Sequence, residues 1–119
     1  MSTTTVGRGG EARAQAYLKE RGYKLLRKNY RDGPREIDLI MQTGCTVVFV
    51  EVKSRSKTGY GTPAEFVTPA KRKLLIQAAQ AYLQEMDLLD APARFDVIEV
   101  YLGTDLIHHI ENAFDTSGW

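Results

Sequence analysis

The sequence is poor in the residues that build disulfide or zinc scaffolds. Cys45 is the single cysteine among 119 residues, so an internal disulfide is excluded. No C-x-x-C or H-x-x-x-H spacing occurs, although structural zinc sites usually have such spacings. The chain is therefore neither a disulfide-stabilised secreted module nor a zinc module.

Long hydrophobic runs are also missing. No apolar stretch approaches the roughly 20 residues that a membrane-spanning helix needs. The polar start Met1-Ser-Thr-Thr-Thr lacks the basic and apolar parts of a signal peptide. We therefore expect a cytoplasmic protein that does not enter a membrane.

The overall composition is that of a globular protein, with 43% hydrophobic residues, 26% charged residues and only 4 prolines. A chain of this length fits one hydrophobic core, so we predict a single domain over residues 1–119.

The net charge of +1 hides an uneven distribution. Residues 1–75 contain 15 Lys and Arg against 7 Asp and Glu, whereas residues 76–119 contain one Arg against 8 acids. Such asymmetry can mark a basic face for a polyanion, although solvated surface charge explains it equally well.

The hydrophobic pattern predicts an α/β protein with the element order α-β-β-β-α-β-(β). Thr68-Pro69 predicts the start of the second helix, because Thr is a good N-cap and Pro suits the first helical position. The glycines near the chain start and residues 54–67 are interpreted as turns and loop. The predicted helices cover residues 11–20 and 69–86, and the predicted strands cover residues 23–30, 36–41, 46–53, 94–101 and 106–110.

Two ionisable residues end the apolar strand 46–53. Side chains alternate along a strand, so Glu51 and Lys53 share one face. With a two-residue turn at Thr43-Gly44, Asp38 would lie opposite Phe49 and diagonally from Glu51, roughly 5–8 Å away. Another turn of even length would keep both acids on that face.

Two carboxylates about 5 Å apart repel by roughly 3 kcal/mol at an effective dielectric constant near 20. Counting Glu11 at the start of the first helix, three acids face one lysine, a balance that suits Mg²⁺ or Mn²⁺. Such an ion could activate water and neutralise a phosphoryl group. The other interpretation is a structural ion pair at the end of the strand.

The pattern Asp38…Glu51-Val52-Lys53 resembles the core motif of PD-(D/E)XK nucleases. The wider sequence resembles the YraN family of bacterial proteins, relatives of archaeal Holliday junction resolvases. Ile37 replaces the proline in the motif's name, and Arg35 stands where the family usually has glycine. The matching stretches are Gly10-Glu11-x-x-Ala14, Tyr17-Leu18, Asn29-x-Arg31, Glu36-Ile37-Asp38-Leu39-Ile40, Phe49-Val50-Glu51-Val52-Lys53-x-Arg55, Gly61, Lys71, Tyr82-Leu83, Arg94-Phe95-Asp96 and Asn112-Ala113-Phe114.

This resemblance implies a restriction-endonuclease-like fold and a set of site residues. Asp38, Glu51 and the backbone carbonyl of Val52 would bind the metal. Lys53 would be the catalytic lysine, and Glu11 an auxiliary acid of the catalytic site.

The predicted function is Mg²⁺-dependent hydrolysis of DNA phosphodiesters, with branched or structured DNA as one substrate class. Arg55 and Lys71 are candidates for contacting phosphate, within a basic rim that also draws on Lys57, Arg72 and Lys73. The alternatives are a nucleic-acid-binding protein without catalysis and an accessory protein of a DNA repair complex. A symmetric homodimer is compatible with the resemblance to the resolvases.

Other ionisable residues are predicted to have structural roles. Glu36 is expected to pair with a Lys or Arg, and Asp96 with Arg94 or another neighbour. His108 and His109 should point to opposite faces of a strand and therefore cannot share one site without distortion.

Overall fold

A computed structural model of the chain describes residues 3–55 and 68–114, with side chains from Gly9 onward. Most of the predicted loop 54–67 lies outside the described residues. The predicted element order is confirmed, because two helices and five strands follow one another as expected. They are α1 (Thr3–Glu20), β1 (Lys24–Asp32), β2 (Arg35–Thr43), β3 (Thr46–Arg55), α2 (Pro69–Glu85), β4 (Ala93–Tyr101) and β5 (Ile107–Ile110).

The five strands form one mixed sheet in the order β1-β2-β3-β4-β5. β3 and β4 run parallel, while the other neighbours are antiparallel. The parallel pair needs a crossover connection, and α2 lies within it. The predicted mixed α/β fold is therefore confirmed.

Each helix packs on one face of the sheet. On the first face, Phe49 of β3 and Phe95 of β4 pack with Tyr82 of α2. On the other face, Val48 and Val50 pack with Leu18 of α1. Neither helix is long and apolar enough to cross a membrane, within the ranges that the structure describes.

The start of α2 confirms its sequence signals. The Thr68 hydroxyl accepts a hydrogen bond from the Lys71 backbone N–H at 3.2 Å, and Pro69 follows at the first helical position. This cap fixes the first turn of α2, which contains Lys71, above the sheet.

The start of α1 differs from the prediction. The helix begins at Thr3 rather than Glu11, so the early glycines lie in a helix and not in turns. A Cβ atom at Gly10 would overlap the Ser54 hydroxyl of β3. Glycine at this position therefore permits close packing of α1 on β3, and that packing outweighs its low helix propensity.

The turn between β2 and β3 differs from the predicted one by one residue. Thr43 pairs with Thr46, so Gly44 and Cys45 form the turn, and Gly44 has a φ of 58° that glycine tolerates. The ladder continues to Leu39 opposite Val50, which places Asp38 level with Glu51 rather than with Phe49. Ile37 and Ile40 both pack in the core cluster with α2, whereas Leu39 packs in the cluster with α1, so the side chains do not alternate regularly around Asp38. The shared face of Asp38 and Glu51 stays a prediction.

Candidate functional site

Asp38 of β2 and Glu51 of β3 form the centre of the candidate site. Each lies one residue beyond Leu39 and Val50, the last pair of the β2–β3 ladder, and the two carboxyl groups are close enough to interact electrostatically. Asp38 Oδ2 accepts a hydrogen bond from the Val52 backbone N–H at 2.8 Å. Glu51 is only 8% exposed, and its neighbours Phe49 and Val50 belong to the core. Two carboxylates are thus held close together at the margin of the core.

Two lysines neutralise Glu51. Lys53 Nζ lies 3.3 Å from Glu51 Oε1, which agrees with the predicted shared face. Lys71 Nζ lies 2.7 Å from the same oxygen and comes from the first turn of α2. Lys71, which the sequence suggested as a phosphate contact, is therefore engaged with a site carboxylate in this structure.

The Asp38 carboxyl group is difficult to ionise. Burial raises its pKa from 3.8 to about 7, and the negative charge of Glu51 acts in the same direction. Glu11 and Glu36 add smaller effects of the same sign, against a lowering by the Val52 hydrogen bond. A cation between Asp38 and Glu51 would relieve this electrostatic strain.

Lys71 stays charged at this place despite its partial burial. Burial alone would lower its pKa, but the hydrogen bond and charge of Glu51 outweigh burial, so the pKa is raised. The ammonium group of Lys71 consequently keeps its positive charge next to Glu51.

Glu11 lies on α1, where Asn29 of β1 holds its carboxylate. Asn29 Nδ2 donates a hydrogen bond to Glu11 Oε1 at 2.8 Å. Asn29 has a φ of 52°, in the left-handed region that asparagine tolerates better than most residues. The neighbouring pairs of the β1–β2 ladder place Asn29 level with Asp38. Glu11 therefore contributes charge to the surroundings of Asp38 while Asn29 fixes its carboxylate.

A third acid, Glu99 of β4, extends the site and was missed in the sequence. It is 2% exposed and pairs in register with Lys53 of the parallel strand β3. Its carboxylate contacts His108 Nδ1 at 2.9 Å and Arg55 Nε at 3.7 Å. The one available signal was a glutamate in the otherwise apolar run Val97 to Val100.

The predicted basic rim is found only in part. Arg55 lies against Glu99, and Lys71 against Glu51. Arg72 and Lys73 line a separate open cavity of about 490 Å³ along α2. Lys57 lies outside the described residues.

Asp96 has the predicted structural role on the opposite face. It is fully buried and accepts hydrogen bonds from Arg94 Nε at 3.0 Å and from the Asn112 backbone N–H at 3.0 Å. His109 Nε2 lies 2.7 Å from its other oxygen.

His108 contacts Glu99 instead, so the expectation that the two histidines point to different faces of the strand is confirmed. Glu36 pairs with Arg31 at 2.8 Å, also as predicted.

The oxygen atoms available at the site suit a hard divalent cation. Asp38 and Glu51 supply carboxylates, and Val52, whose N–H donates to Asp38, would add its backbone carbonyl as a third oxygen. Mg²⁺ usually keeps several waters and binds one or two carboxylates, so this set fits it. Residues 3–55 and 68–114 contain no group of three or more His, Cys, Asp or Glu side chains that could together hold a metal ion.

Fold and site together define a mixed α/β protein with a buried carboxylate–lysine centre on its two central hairpin strands. The chain belongs to the Uncharacterised protein family UPF0102, whose family model matches residues 10–100. The predicted membership of the YraN-like family is thereby confirmed.

Relatives from several organisms match most of the chain. A UPF0102 protein of Clostridioides difficile strain 630 is 46% identical over 114 residues, which cover 96% of this chain and 100% of the relative. One from Persephonella marina is 41% identical over 109 residues, covering 92% of each chain. One from Chloroherpeton thalassium is 48% identical over 96 residues, covering 81% of this chain and 74% of the relative.

Proposed function

We propose that the protein is a metal-dependent nuclease of the PD-(D/E)XK type that hydrolyses phosphodiester bonds in DNA. The observation that carries this proposal is the closeness of the Asp38 and Glu51 carboxyl groups on adjacent strands, with Lys53 Nζ 3.3 Å from Glu51 Oε1. The mixed α/β sheet with the order α-β-β-β-α-β-β is compatible with the restriction-endonuclease-like fold that the resemblance implies. Branched or structured DNA is the substrate class that the related resolvases suggest.

The residues divide into metal ligands and cationic groups. Asp38, Glu51 and the Val52 carbonyl would hold Mg²⁺ or Mn²⁺. When bound, the ion supplies positive charge to a phosphoryl oxygen and makes a water molecule more acidic. The hydrogen bond from Val52 N–H orients one oxygen of Asp38 and leaves the carboxylate's other oxygen for a cation.

Lys53 and Lys71 supply charge for the phosphate. Lys53 would stabilise the negative charge that develops on the phosphoryl oxygens. Lys71 contacts Glu51 Oε1, so a cation on that oxygen requires the ammonium group to move away. The displaced ammonium would remain beside the site, where it can bind the substrate's phosphate. Glu11, fixed by Asn29, adds negative charge that favours a bound cation.

A second candidate function is nucleic-acid binding without hydrolysis, including an accessory role in DNA repair. The observation that favours it is the neutralisation of Glu51 by two lysines, because such an ion pair can stabilise the fold without any metal. Both functions predict binding that weakens as salt concentration rises. Metal-dependent cleavage distinguishes them.

The test is incubation of the purified protein with labelled duplex, single-stranded and four-way DNA in Mg²⁺, Mn²⁺ or EDTA. We expect cleavage in Mg²⁺ or Mn²⁺ and none in EDTA. Asp38→Asn is the variant that should be inactive, and Glu36→Gln is its matched control on the same strand. Cleavage by Asp38→Asn at the parent's rate would point to a contaminating nuclease. Binding without cleavage under all conditions would favour the second function.

A further inference from the structure

The α2 face of the sheet carries a second group of ionisable side chains beside Lys53. The strand register places Lys53 next to Glu99, and Glu99 next to His108 of the edge strand β5. Residues paired in register lie on the same face, so these three form a row across β3, β4 and β5. Arg55, two residues beyond Lys53, lies on the same face of β3.

Glu99 contacts His108 within hydrogen-bond distance and Arg55 through a longer ion pair. His108 Nδ1 lies 2.9 Å from Oε1, and Arg55 Nε lies 3.7 Å from Oε2. The His108 side chain is 57% exposed, whereas Glu99 is 2% exposed. One buried carboxylate thus anchors an exposed imidazole and a partly buried guanidinium.

The position of Glu99 is unfavourable for the stability of the fold alone. Its neighbours Val97, Ile98 and Val100 are all fully buried apolar residues, so an apolar side chain would suit position 99 as well. A buried carboxylate is tolerated only when it is paired, and even then it gives little stability over an apolar residue. Its presence therefore indicates a role for the bases that it orients.

The charges of this group favour an anion as the ligand. Arg55 and His108 share the one carboxylate of Glu99, and Lys53, which pairs with Glu51, lies beside them. Because Nδ1 of His108 is engaged with Glu99, a hydrogen bond to an anion has to come from Nε2, which carries a hydrogen next to a Glu99-bound Nδ1–H only in the protonated ring. On the opposite edge of the sheet, two arginines of β1 each pair with their own acid, Arg31 with Glu36 at 2.8 Å and Arg27 with Glu85 at 3.8 Å.

We infer that Glu99 is a positioning residue that presents Arg55 and His108 to the phosphates of a bound nucleic acid. The backbone of the nucleic acid would then run from Lys53 across β4 to the β5 edge, away from β1. Lys53 and His108 are two strand spacings apart, roughly 10 Å, which allows contacts with different phosphates of one strand. This inference rests on the proposed function, because it defines the substrate path at the same site.

The experiment measures binding of a fluorescent DNA duplex by anisotropy in EDTA, over a range of salt concentrations. His108→Gln and Arg55→Gln should each weaken binding by roughly five- to tenfold at 0.1 M salt. For Arg55→Gln, the plot of log binding constant against log salt concentration should also become less steep, by about one unit of slope. Arg31→Gln is the matched control on β1 and should change the affinity by less than about twofold. Unchanged binding by Arg55→Gln and His108→Gln, or an equal loss in Arg31→Gln, would overturn the inference.

Two further variants test whether Glu99 orients His108 and whether misfolding, rather than the lost charge, explains a loss of binding. In the Glu99→Gln background, His108→Gln should have a smaller effect on affinity than it has in the parent, since the ring is no longer oriented. An equal effect in both backgrounds would show that Glu99 does not position His108. The double variant Arg55→Gln/Glu99→Gln leaves no unpaired buried charge at this pair. It therefore replaces Arg55→Gln in the binding measurement if Arg55→Gln fails to fold.

The outcome also distinguishes this inference from the proposed nuclease function. If the parent cleaves DNA but Arg55→Gln and His108→Gln bind and cleave as the parent does, only the substrate path is wrong. If the parent binds neither DNA nor RNA at low salt, the proposed function and this inference both fail.

Discussion

Lys71 Nζ lies 2.7 Å from Glu51 Oε1, so the first turn of α2 is tied to the central strand β3 through a site carboxylate. This contact competes directly with any metal ion at the same oxygen. The ammonium group of Lys71 stabilises the metal-free protein, and its positive charge would weaken the binding of a cation at Glu51. Metal affinity and the stability of the metal-free protein should therefore change in opposite directions when Lys71 is replaced.

Lys71→Met should lower the free energy of unfolding of the metal-free protein by about 1–2 kcal/mol, because Glu51 loses a close partner. The same variant should bind Mg²⁺ more tightly, so the rise of the melting temperature on adding Mg²⁺ should exceed that of the parent. Lys73→Met, an exposed residue of the same helix, is the control and should change neither quantity. A smaller Mg²⁺ effect in Lys71→Met would argue that Lys71 does not compete with the ion.

Asp38→Asn should stabilise the protein in EDTA at pH 8. The Asp38 carboxylate is buried beside Glu51, and its pKa of about 7 means that folding disfavours the charged form. Asparagine removes the charge and can still accept the hydrogen bond from Val52 N–H. We expect a higher melting temperature in EDTA together with loss of the Mg²⁺-induced rise. Glu36→Gln, which removes an acid from a more exposed ion pair, should retain that rise. A lower melting temperature of Asp38→Asn in EDTA would contradict this prediction.

The pH dependence of stability should depend strongly on Asp96. Burial alone would raise its pKa, but the hydrogen bonds from His109, Arg94 and the Asn112 N–H outweigh burial and lower it. A carboxyl group with a lowered pKa in the folded state stabilises the fold above its ordinary pKa of 3.8, and this stabilisation is lost as pH falls through the folded value.

Asp96→Asn should therefore cost about 2–4 kcal/mol at pH 7 and show a weaker loss of stability between pH 5 and 3 than the parent. Urea unfolding at a series of pH values measures both effects. Asp90→Asn, at an exposed position, is the control. Parallel pH profiles for Asp96→Asn and the parent would show that other carboxyl groups cause the acid sensitivity.

Asn29 combines an unusual backbone conformation with a contact to the proposed auxiliary acid. Asn29→Ala should destabilise the protein by about 1–2 kcal/mol, because alanine is strained at a φ of 52° and cannot bond to Glu11. Asn29→Gly removes the same hydrogen bond without the strain and should cost less than alanine, as thermal unfolding can measure. If glycine costs as much as alanine, the side-chain contact rather than the backbone conformation explains the residue.

The element order was predictable because it follows from local signals. Thr68-Pro69 predicts the start of α2, and the alternation of side-chain character over residues 94–101 predicts β4. The turn was mispredicted by one residue, which shifts the pairing of β2 with β3 by two residues and brings Asp38 beside Glu51 instead of Phe49.

The partners of the site residues were not predictable, because they come from pairings distant in sequence. Glu99 reaches Lys53 only through the parallel pairing of β3 with β4, which alternation does not reveal. Lys71 reaches Glu51 through the crossover that carries α2 back over the sheet. In both cases the local sequence shows an ordinary charged residue, and the chain topology creates the contact.

Two substitutions should separate nucleic-acid binding from chemistry. Glu51→Gln removes a proposed metal ligand and leaves the two lysines without their carboxylate, so the site becomes more positive. In EDTA this variant should bind DNA at least as tightly as the parent, and in Mg²⁺ it should not cleave.

Lys53→Met keeps the proposed ligands and the contact between Lys71 and Glu51, so Mg²⁺ should still raise its melting temperature. Its cleavage rate should nevertheless fall by roughly a hundredfold or more, a typical loss for a charge contact to a transition state.

The two variants thus have opposite expected effects on DNA affinity, measured by anisotropy in EDTA, while cleavage is measured in Mg²⁺. Glu51→Gln binds more tightly because a negative charge near the phosphates is lost, and Lys53→Met binds more weakly because a positive charge is lost. If the parent does not cleave any DNA form with either metal, and both variants bind as the parent does, the nuclease proposal is wrong. Asp38, Glu51 and Lys53 would then be a structural ion cluster, and the ion pair of Glu51 with Lys71 would explain why the acids are retained.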